Sequence, residues 1–329
     1  MTIKGYCSHL ADGFIGSVLG TALGDALGQG VEGWPAPLIQ ATYGWLDRMV
    51  EGWQPAGAYT DDTEMMVGIL ETLVMVGDFD PEVCAQRFVA NYHPARGYGG
   101  RISGIMQRLR QGEPWQEVGT DSFGNGSAMR IGPLGAFYFD DLVRVKEKAL
   151  LSCLITHKHP EAQAGAVAQA TGVALALEAG CQGWPLEVDR FISIIQAQIA
   201  DLCPQFAERL ESLRHSPGND RESQRQALRQ AYRCDVRSIE AVPPALGAFL
   251  WTREPRPAIE LAVNLGGDTD TLGAMAGSLA GAYYGYSCLP TEWLAILESG
   301  PQGREFLLTQ ADLAAQRLIH RLSQKGHCN

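Results

Sequence analysis

The sequence of 329 residues predicts an all-α protein, a compact single-domain orthogonal bundle of many helices. No convincing run of alternating apolar and polar residues marks a β-strand, and apolar segments with helical spacing follow one another along the chain. No Pro/Ser-rich linker divides it. We therefore expect one domain over residues 1–329, with a core from about 10 to 286 and two C-terminal helices within 290–321.

Composition limits the classes of function. The hydrophobic fraction of 46% and the charged fraction of 19% are those of a globular protein, and a formal net charge of -11 argues against nucleic acid as a general partner. The eight cysteines form no CxxC pair, which is typical of reduced thiols in a cytoplasmic protein. The N-terminal sequence MTIKGYCSHLADG lacks the pattern of a signal peptide, so we expect a cytoplasmic location.

One apolar stretch is long enough to be a candidate membrane span. Residues 272–289 carry no charged side chain. The stretch nevertheless contains four glycines and two serines, which favours a buried core helix over a helix in lipid. We therefore expect no membrane span.

Two segments place glycine at every fourth position, which puts the glycines of each segment on one ridge of a helix. The first ridge lies in a helix predicted over about residues 8–28, and the second lies near the C-terminus. Their members are Gly16, Gly20, Gly24 and Gly28, and Gly273, Gly277, Gly281 and Gly285. Because an interior glycine costs roughly 1 kcal/mol of helix propensity relative to alanine, each ridge indicates that another backbone approaches closely. The two ridges could face each other, or each could pack on a different helix.

Two predicted helix starts combine paired carboxylates with threonine. One is TDDTE at residues 60–64, and the other is DTDT at residues 268–271. Asp and Thr are common N-cap residues, so an ordinary helix start is one interpretation. Carboxylates this close repel each other, and Mg²⁺ or Mn²⁺ with oxygen ligands would relieve the repulsion. Two such starts indicate one shared site for two divalent ions. The Ca²⁺-loop pattern is not met, because Leu272 and Leu279 occupy ligand positions.

A loop carboxylate, two glycine-rich loops and a histidine complete the candidate residues. Glu32 lies in a loop bracketed by glycines after the first helix, where a carboxylate is either solvated or functional. Residues 96–101 (RGYGGR) and 124–130 (GNGSAMR) suit a phosphate or a ribose as well as they suit a tight turn. His157 lies in a turn before a proline and could donate to a ligand, although such a histidine can equally be structural.

The remaining segments predict further helices. Helices are predicted over about 81–93, 131–139, 140–155, 243–251 and 258–263. One more helix ends at residue 112, another begins near residue 161, and two lie within 187–237 on either side of a turn at 215–220. Residues 42–58 predict an irregular connection.

Five motifs occur in the order GDALGQGVEG, YTDDTE, GNGSAMRIGPLG, THKHPEA and NLGGDTDTLGAMAGSLAGAYYG. Together they resemble the ADP-ribosylglycohydrolase family, and the likeness spans about residues 10–286. The resemblance implies a compact all-helical fold with two Mg²⁺ or Mn²⁺ ions at its centre. It also implies a hydrolase that releases ADP-ribose from an ADP-ribosylated protein or another ADP-ribosylated acceptor.

The same resemblance implies roles for individual residues. Glu32 and Asp61 would act in catalysis. The implied metal ligands are Thr60, Asp61, Asp62, Asp268, Asp270 and Thr271. The implied substrate contacts are Gly97, Tyr98, Gly99, Gly100, Asn125, Gly126, Ser127, Met129, Arg130 and His157. Two rival hypotheses stay open: a catalytically silent protein of this fold that binds ADP-ribose, and a metal-dependent pyrophosphohydrolase.

Overall fold

The computed structural model describes residues 3–252 and 254–324, and within those ranges it contains seventeen α-helices and no β-strand. The first nine helices are α1 (Ile3–Gly28), α2 (Ala36–Tyr43), α3 (Asp61–Val76), α4 (Pro81–Asn91), α5 (Ile102–Arg110), α6 (Trp115–Val118), α7 (Gly132–Phe137), α8 (Leu142–Leu154) and α9 (Pro160–Gln182). The other eight are α10 (Val188–Ile199), α11 (Pro204–Arg209), α12 (Arg221–Ala231), α13 (Ser238–Trp251), α14 (Pro255–Val263), α15 (Thr269–Tyr284), α16 (Thr291–Ile296) and α17 (Arg304–Gln324). The predicted all-α class is confirmed.

Helices α1 and α15 form an antiparallel pair at the centre of the molecule. Their glycine ridges face each other, which confirms one of the two interpretations of the spacing: Gly16, Gly20 and Gly24 lie against Gly281, Gly277 and Gly273. A Cβ atom added at Gly20 would overlap the carbonyl oxygen of Gly277, and the reverse also holds. The two backbones therefore touch, which only glycine permits. The hydroxyl oxygens of Ser17 and Ser278, 2.8 Å apart, add a buried polar link.

The other helices pack around this central pair. Helices α9, α13 and α14 lie on α15, while α17, α9 and α7 lie on α1. The buried apolar side chains of the described residues form one main hydrophobic core that runs from Leu10 in α1 to Leu322 in α17. One core of this kind agrees with the single-domain fold expected from the sequence.

Three short helices were not expected from the sequence: α2, α6 and one of the three within residues 187–237. No helix was predicted for residues 36–43, which follow Pro35 and include Pro37, yet these residues form α2. Proline fits the first turn of a helix, because the backbone N–H groups there have no partner inside the helix. Residues 187–237 were expected to form two helices, and they form α10, α11 and α12.

Two helices pass a length and composition test for membrane spans. They cover residues 9–31 and 160–182, and 83% and 89% of their most apolar windows are buried inside the fold. Core helices of this length meet the same criterion, so the test gives no reason to place either helix in a membrane.

Six cysteines have described side chains, and no disulfide joins any of them: Cys84, Cys153, Cys181, Cys203, Cys234 and Cys288. Reduced thiols were expected from the sequence, and these six agree with that expectation. Cys7 and Cys328 lie outside the described side chains. The cytoplasmic location stays a prediction.

The close contact between α1 and α15 predicts the effect of adding one methyl group. Gly20→Ala should destabilise the protein by roughly 1–3 kcal/mol, because the two helices would have to move apart. The gain of about 1 kcal/mol in helix propensity offsets only part of this cost. Urea unfolding measures the difference. Gly104→Ala in α5 is the matched control, since an added Cβ there meets no atom within 4 Å. Equal stability of the two variants would contradict the close packing.

Candidate active site

The N-terminus of α3 is fixed to α1 by the buried carboxylate of Asp25. Asp25 accepts hydrogen bonds from the backbone N–H groups of Thr60 (2.9 Å) and Thr63 (3.0 Å), and from the hydroxyl of Thr63 (2.6 Å). A carboxylate is favoured there, because the N–H groups of a first helical turn lack partners within the helix. Asp25 thereby places Asp61 and Asp62, which begin α3, beside the end of α1.

The N-terminus of α15 is fixed to the same end of α1. The hydroxyl of Thr269 donates to the carbonyl oxygen of Gly28 at 2.8 Å. Since α1 and α15 are antiparallel, the end of the first lies beside the start of the second. Asp268, at the N-cap position, and Asp270, in the first turn, therefore lie next to the acidic first turn of α3.

Glu32 reaches this place because its loop is bound to the segment that precedes α15. The N–H of Gly33 donates to the carbonyl oxygen of Gly267, and the N–H of Gly267 donates to that of Trp34, both at 2.8 Å. Gly267 has a φ angle of 81°, in the left-handed region that favours glycine. The double glycine of the GGDTDT motif thus makes the turn to which the Glu32 loop is attached.

The carboxylates gather into one cluster. One oxygen atom each from Glu32, Asp268 and Asp270 lies within 4.8 Å of the other two. Asp61 and Asp62 line the same cavity. Asp268 and Asp270 are only 8% and 4% exposed, whereas Glu32 is exposed at the rim. The structure therefore brings together the two acidic helix starts and the loop carboxylate.

Burial and crowding make this cluster unfavourable as a set of bare anions. Burial, followed by the charges of neighbouring carboxylates, raises the pKa of Asp61, Asp62 and Asp270 well above its usual range. Burial, followed by the charge of Asp268, also raises the pKa of Glu32. Acids with raised pKa values that share one cleft are typical of a functional site.

The cluster fits divalent cations by its chemistry. Its side chains offer carboxylate and hydroxyl oxygens, which are the ligands that Mg²⁺ and Mn²⁺ prefer. The Oδ1 atom of Asp62 is buried and has no hydrogen-bond partner among the described residues. A buried anionic oxygen without a partner is costly, and a cation would supply the missing interaction.

A cleft of about 390 Å³ opens above the cluster, within the size range of small-ligand sites. The glycine-rich loops that the sequence singled out form much of its wall. The predicted substrate contacts that line it are Gly97, Gly99, Gly100, Asn125, Gly126, Met129 and His157. The predicted metal ligands that line it are Asp61, Asp62, Asp268, Asp270 and Thr271.

Asn125 joins the second glycine-rich loop to the carboxylate cluster. Its side-chain amide donates to Oδ2 of Asp268 at 2.5 Å, and its backbone N–H donates to the carbonyl oxygen of Val236 at 2.9 Å. His157 lies beside the same loop and lines the cleft, with its ring edge against Gly126. The loop is therefore held at a fixed distance from the acidic helix starts.

Four predicted residues lie near the cleft but do not line it: Thr60, Tyr98, Ser127 and Arg130. The hydroxyl of Tyr98 donates to Glu64 at 2.6 Å, and the hydroxyl of Ser127 donates to the carbonyl oxygen of Ala162 at 3.2 Å. Thr60 is the N-cap residue of α3, and its hydroxyl accepts from the N–H of Asp62. The ordinary capping role that the sequence left open for Thr60 is thus present in the structure.

The expectation that Arg130 contacts the substrate needs correction. Its guanidinium group is fully buried behind the loop of residues 124–130. The group donates to the carbonyl oxygens of Gly126 (3.1 Å) and Ser152 (2.7 Å) and to the hydroxyl of Thr156 (2.9 Å). Because its guanidinium N–H groups donate to oxygens of the protein, Arg130 holds the loop of residues 124–130 in place from the interior side.

Sequence reasoning missed three residues that hold the site together: Trp53, Asp25 and Glu64. The indole N–H of Trp53 donates to Oε2 of Glu32 at 3.0 Å, and its ring packs on Gly97. Trp53 lies in a stretch that predicted only an irregular connection, so no pattern pointed to it. Asp25 did leave a signal, because it is the only charged residue among the apolar positions 13–31 of the first helix pattern.

Glu64 is a third residue that the sequence did not single out. Its buried carboxylate accepts a hydrogen bond from the backbone N–H of His93 (2.9 Å) and also contacts Nδ1 of the His93 imidazole ring (2.7 Å). Together with the bond from Tyr98, these contacts fasten the first glycine-rich loop to α3. The sequence feature that could have pointed to Glu64 is its position as the last residue of the TDDTE motif.

Comparison with known proteins gives consistent matches over most of the chain. A protein-family model described as ADP-ribosylglycohydrolase matches residues 7–327. Protein YegU of Escherichia coli (strain K12) is 32% identical over 311 residues, which cover 87% of this chain and 91% of that protein. The ADP-ribosylhydrolase ARH3 of Homo sapiens is 31% identical over 304 residues, which cover 82% of this chain and 80% of that protein.

A solved structure extends the agreement to three dimensions. The structure titled "ADP-ribosylglycohydrolase-related protein complex" superimposes with a TM-score of 0.73 at 28% sequence identity. The match covers 95% of this chain and 100% of that chain. With a family model that spans nearly the whole sequence and a fold shared over the same length, the chain belongs to the ADP-ribosylglycohydrolase family.

Proposed function

We propose that this protein hydrolyses the glycosidic bond between ADP-ribose and a modified acceptor, with two divalent metal ions, Mg²⁺ or Mn²⁺, as cofactors. The observation that carries the proposal is the convergence of the two acidic helix starts and Glu32 at one end of a cleft walled by glycine-rich loops. Membership of the family, and likeness to relatives named ADP-ribosylhydrolase, support a hydrolase that acts on ADP-ribose linkages.

Each part of the cleft has a place in this reaction. The cations would be held by Asp61, Asp62, Asp268 and Asp270, together with the hydroxyls of Thr60 and Thr271. When bound, they would neutralise the clustered carboxylates and polarise oxygens of the ribose and of water. The backbone N–H groups of the glycine-rich loops suit the diphosphate, since Arg101 is the one Lys or Arg among the described residues that line the cleft.

Glu32 is suited to handle the proton at the scissile bond. Its Oε2 accepts a hydrogen bond from the indole N–H of Trp53, while Oε1, at the rim of the cleft, has no hydrogen-bond partner among the described residues. Oε1 would accept a proton from the attacking water as the water oxygen bonds to the anomeric carbon. The bond from that carbon to the acceptor breaks, and the acceptor leaves with the electron pair and takes up the proton that Glu32 received, which regenerates the carboxylate. The carbon passes through an oxocarbenium-like state, which a nearby carboxylate stabilises.

A substrate panel tests the proposal. The protein with Mg²⁺ or Mn²⁺ is incubated with peptides ADP-ribosylated on Arg or on Ser and with ADP-ribosylated nucleic acid, and the products are identified by mass spectrometry. We expect free ADP-ribose and the intact acceptor from at least one substrate. Release of AMP would favour the pyrophosphohydrolase hypothesis. Tight binding of ADP-ribose without release from any substrate would favour the silent protein.

Metal ions should stabilise the folded protein. A ligand that binds only the native state adds about 2.7 kcal/mol when its concentration is a hundred times its dissociation constant. We therefore expect Mg²⁺ or Mn²⁺ to raise the Tm of protein treated with a chelator, and Asp270→Asn to reduce the rise. Asp312→Asn, an exposed aspartate in α17, is the matched control and should respond like the wild type. Identical melting curves with and without metal would contradict the site.

The gain from metal should also depend on pH. In the metal-free protein, burial raises the pKa of Asp25 to about 6, and burial together with neighbouring carboxylates raises the pKa values of Asp61, Asp62 and Asp270 well above their usual range. A carboxyl group whose pKa is higher in the folded than in the unfolded state stabilises the fold fully at a pH below its unfolded-state pKa. This contribution is lost as the pH rises through its folded-state pKa. The metal-induced rise in Tm should therefore be small near pH 5 and large near pH 7.5. Equal rises at both pH values would refute this account.

Glu32→Gln should separate chemistry from binding. Loss of a general acid or base lowers kcat by on the order of 10² to 10⁴, so we expect a fall in that range while ADP-ribose and metal still bind. Glu51→Gln, an exposed glutamate in the neighbouring irregular segment, is the control and should keep wild-type kcat. A kcat for Glu32→Gln within about threefold of the wild type would remove Glu32 from the mechanism.

A further inference from the structure

Arg130 is a buried cation, and its guanidinium group forms no hydrogen bond with a carboxylate of the described residues. One terminal nitrogen of that group, Nη2, donates both to the carbonyl oxygen of Ser152 and to the hydroxyl oxygen of Thr156. A guanidinium group can only donate hydrogen bonds. The oxygen of Thr156 must therefore act as the acceptor in this contact, and its own proton must point elsewhere.

The hydroxyl proton of Thr156 has one available hydrogen-bond acceptor among the described residues, Nδ1 of His157. Its oxygen lies 2.7 Å from Nδ1 of His157, and Arg130 and His157 are its only hydrogen-bond partners among the described residues. Thr156 is fully buried, so no solvent competes for the proton. A hydroxyl group left without an acceptor in such a place is costly. The hydroxyl therefore donates to Nδ1, which must be unprotonated.

This arrangement decides which nitrogen of His157 carries hydrogen. Burial, followed by the positive charge of Arg130, lowers the pKa of His157 to about 3, so the ring is neutral and has a single N–H. With Nδ1 as an acceptor, that hydrogen lies on Nε2. Nε2 borders the cleft beside Gly124 and Gly126, and it has no hydrogen-bond partner within the described residues.

We propose that Arg130 and Thr156 are positioning residues that hold His157 as its Nε2–H tautomer, so that this nitrogen donates to an anionic or hydroxyl oxygen of the ligand in the cleft. The identity of that ligand, ADP-ribose, rests on the proposed function. The order of donors runs in one direction, from the Arg130 guanidinium to the Thr156 hydroxyl, to the His157 ring, and to the ligand oxygen. Arg130 thus acts on the ligand through two other residues.

Nitrogen NMR tests the tautomer without any substrate. In the full-length protein labelled with ¹⁵N-histidine, the resonances of His157 are assigned by their loss in His157→Gln. We expect a protonated Nε2 and an unprotonated Nδ1 in the wild type and in Thr156→Ser, which keeps the hydroxyl. Thr156→Val removes the hydroxyl and should give a mixture of tautomers or the Nδ1–H form. A wild-type ring protonated at Nδ1 would overturn the proposal.

Calorimetric titration with ADP-ribose tests the consequence for binding. Because the hydrogen bond from His157 to a charged ligand oxygen would be lost, Thr156→Val should weaken binding by about tenfold or more, and Thr156→Ser by less than about threefold. In a His157→Ala background, the change from Thr156 to Val should have almost no further effect. An equally large loss in that background would show that Thr156 acts only on the fold, and would overturn the proposal.

Two further measurements keep the result decisive. Arg130→Lys retains the charge but cannot donate to all three acceptors, so the His157 resonances of this variant should resemble those of Thr156→Val. If melting analysis shows that Arg130→Lys is unfolded, the comparison of Thr156→Val with Thr156→Ser decides alone. Absence of ADP-ribose binding by the wild type would contradict the proposed function, while the tautomer spectra would still decide the roles of Arg130 and Thr156.

Discussion

The backbone contact between α1 and α15 determines where the functional residues lie. Because the two helices are antiparallel and touch through glycine, the end of α1 and the start of α15 coincide in space. Three attachments then depend on this junction: Thr269 bound to Gly28, Asp25 bound to the start of α3, and the Glu32 loop bound to Gly267. A lateral shift of one helix would separate the carboxylates from one another.

The acidic cluster lies between two opposing electrostatic effects. The sixteen-residue helices α3 and α15 both direct their N-termini at it, and the partial positive charge of a helix N-terminus favours anions. Burial and mutual repulsion are the larger effects, as the raised pKa values of Asp61, Asp62 and Asp270 indicate. The protein alone therefore supplies too little positive charge, which is the physical basis for proposing cations at this site.

Local patterns in the sequence predicted the parts of the site that depend on residue type and spacing. Four-residue glycine spacing indicated close helix packing, and paired Asp with Thr indicated the helix starts that the structure brings together. The missed features depend on contacts between distant segments. Asp25 has its role only because residues 60–63 reach it, and Trp53 only because Glu32 lies beside it.

Arg130 illustrates the opposite error, a residue that the sequence pattern assigned to the substrate but that the structure buries. In sequence it stands among polar loop residues and has the chemistry of a phosphate ligand. Whether an arginine faces the solvent or the interior depends on the direction of the chain after Gly126, which no local pattern records. Helix α2 was missed for a related reason, because Pro35 and Pro37 can either end a helix or begin one.

The pairing of α1 with α15 also has a consequence for the synthesis of the chain. Gly28 and Thr269 are 241 positions apart, so at about 5–20 residues per second roughly 12–48 s pass between the completion of α1 and the arrival of its partner. During this time the apolar surface of α1 that α15 later covers is open to other apolar surfaces, which makes the nascent chain a candidate for chaperone binding. Contacts of such long range also slow folding. The carboxylate cluster is therefore assembled only after most of the protein has been made, and a prematurely terminated chain would lack it.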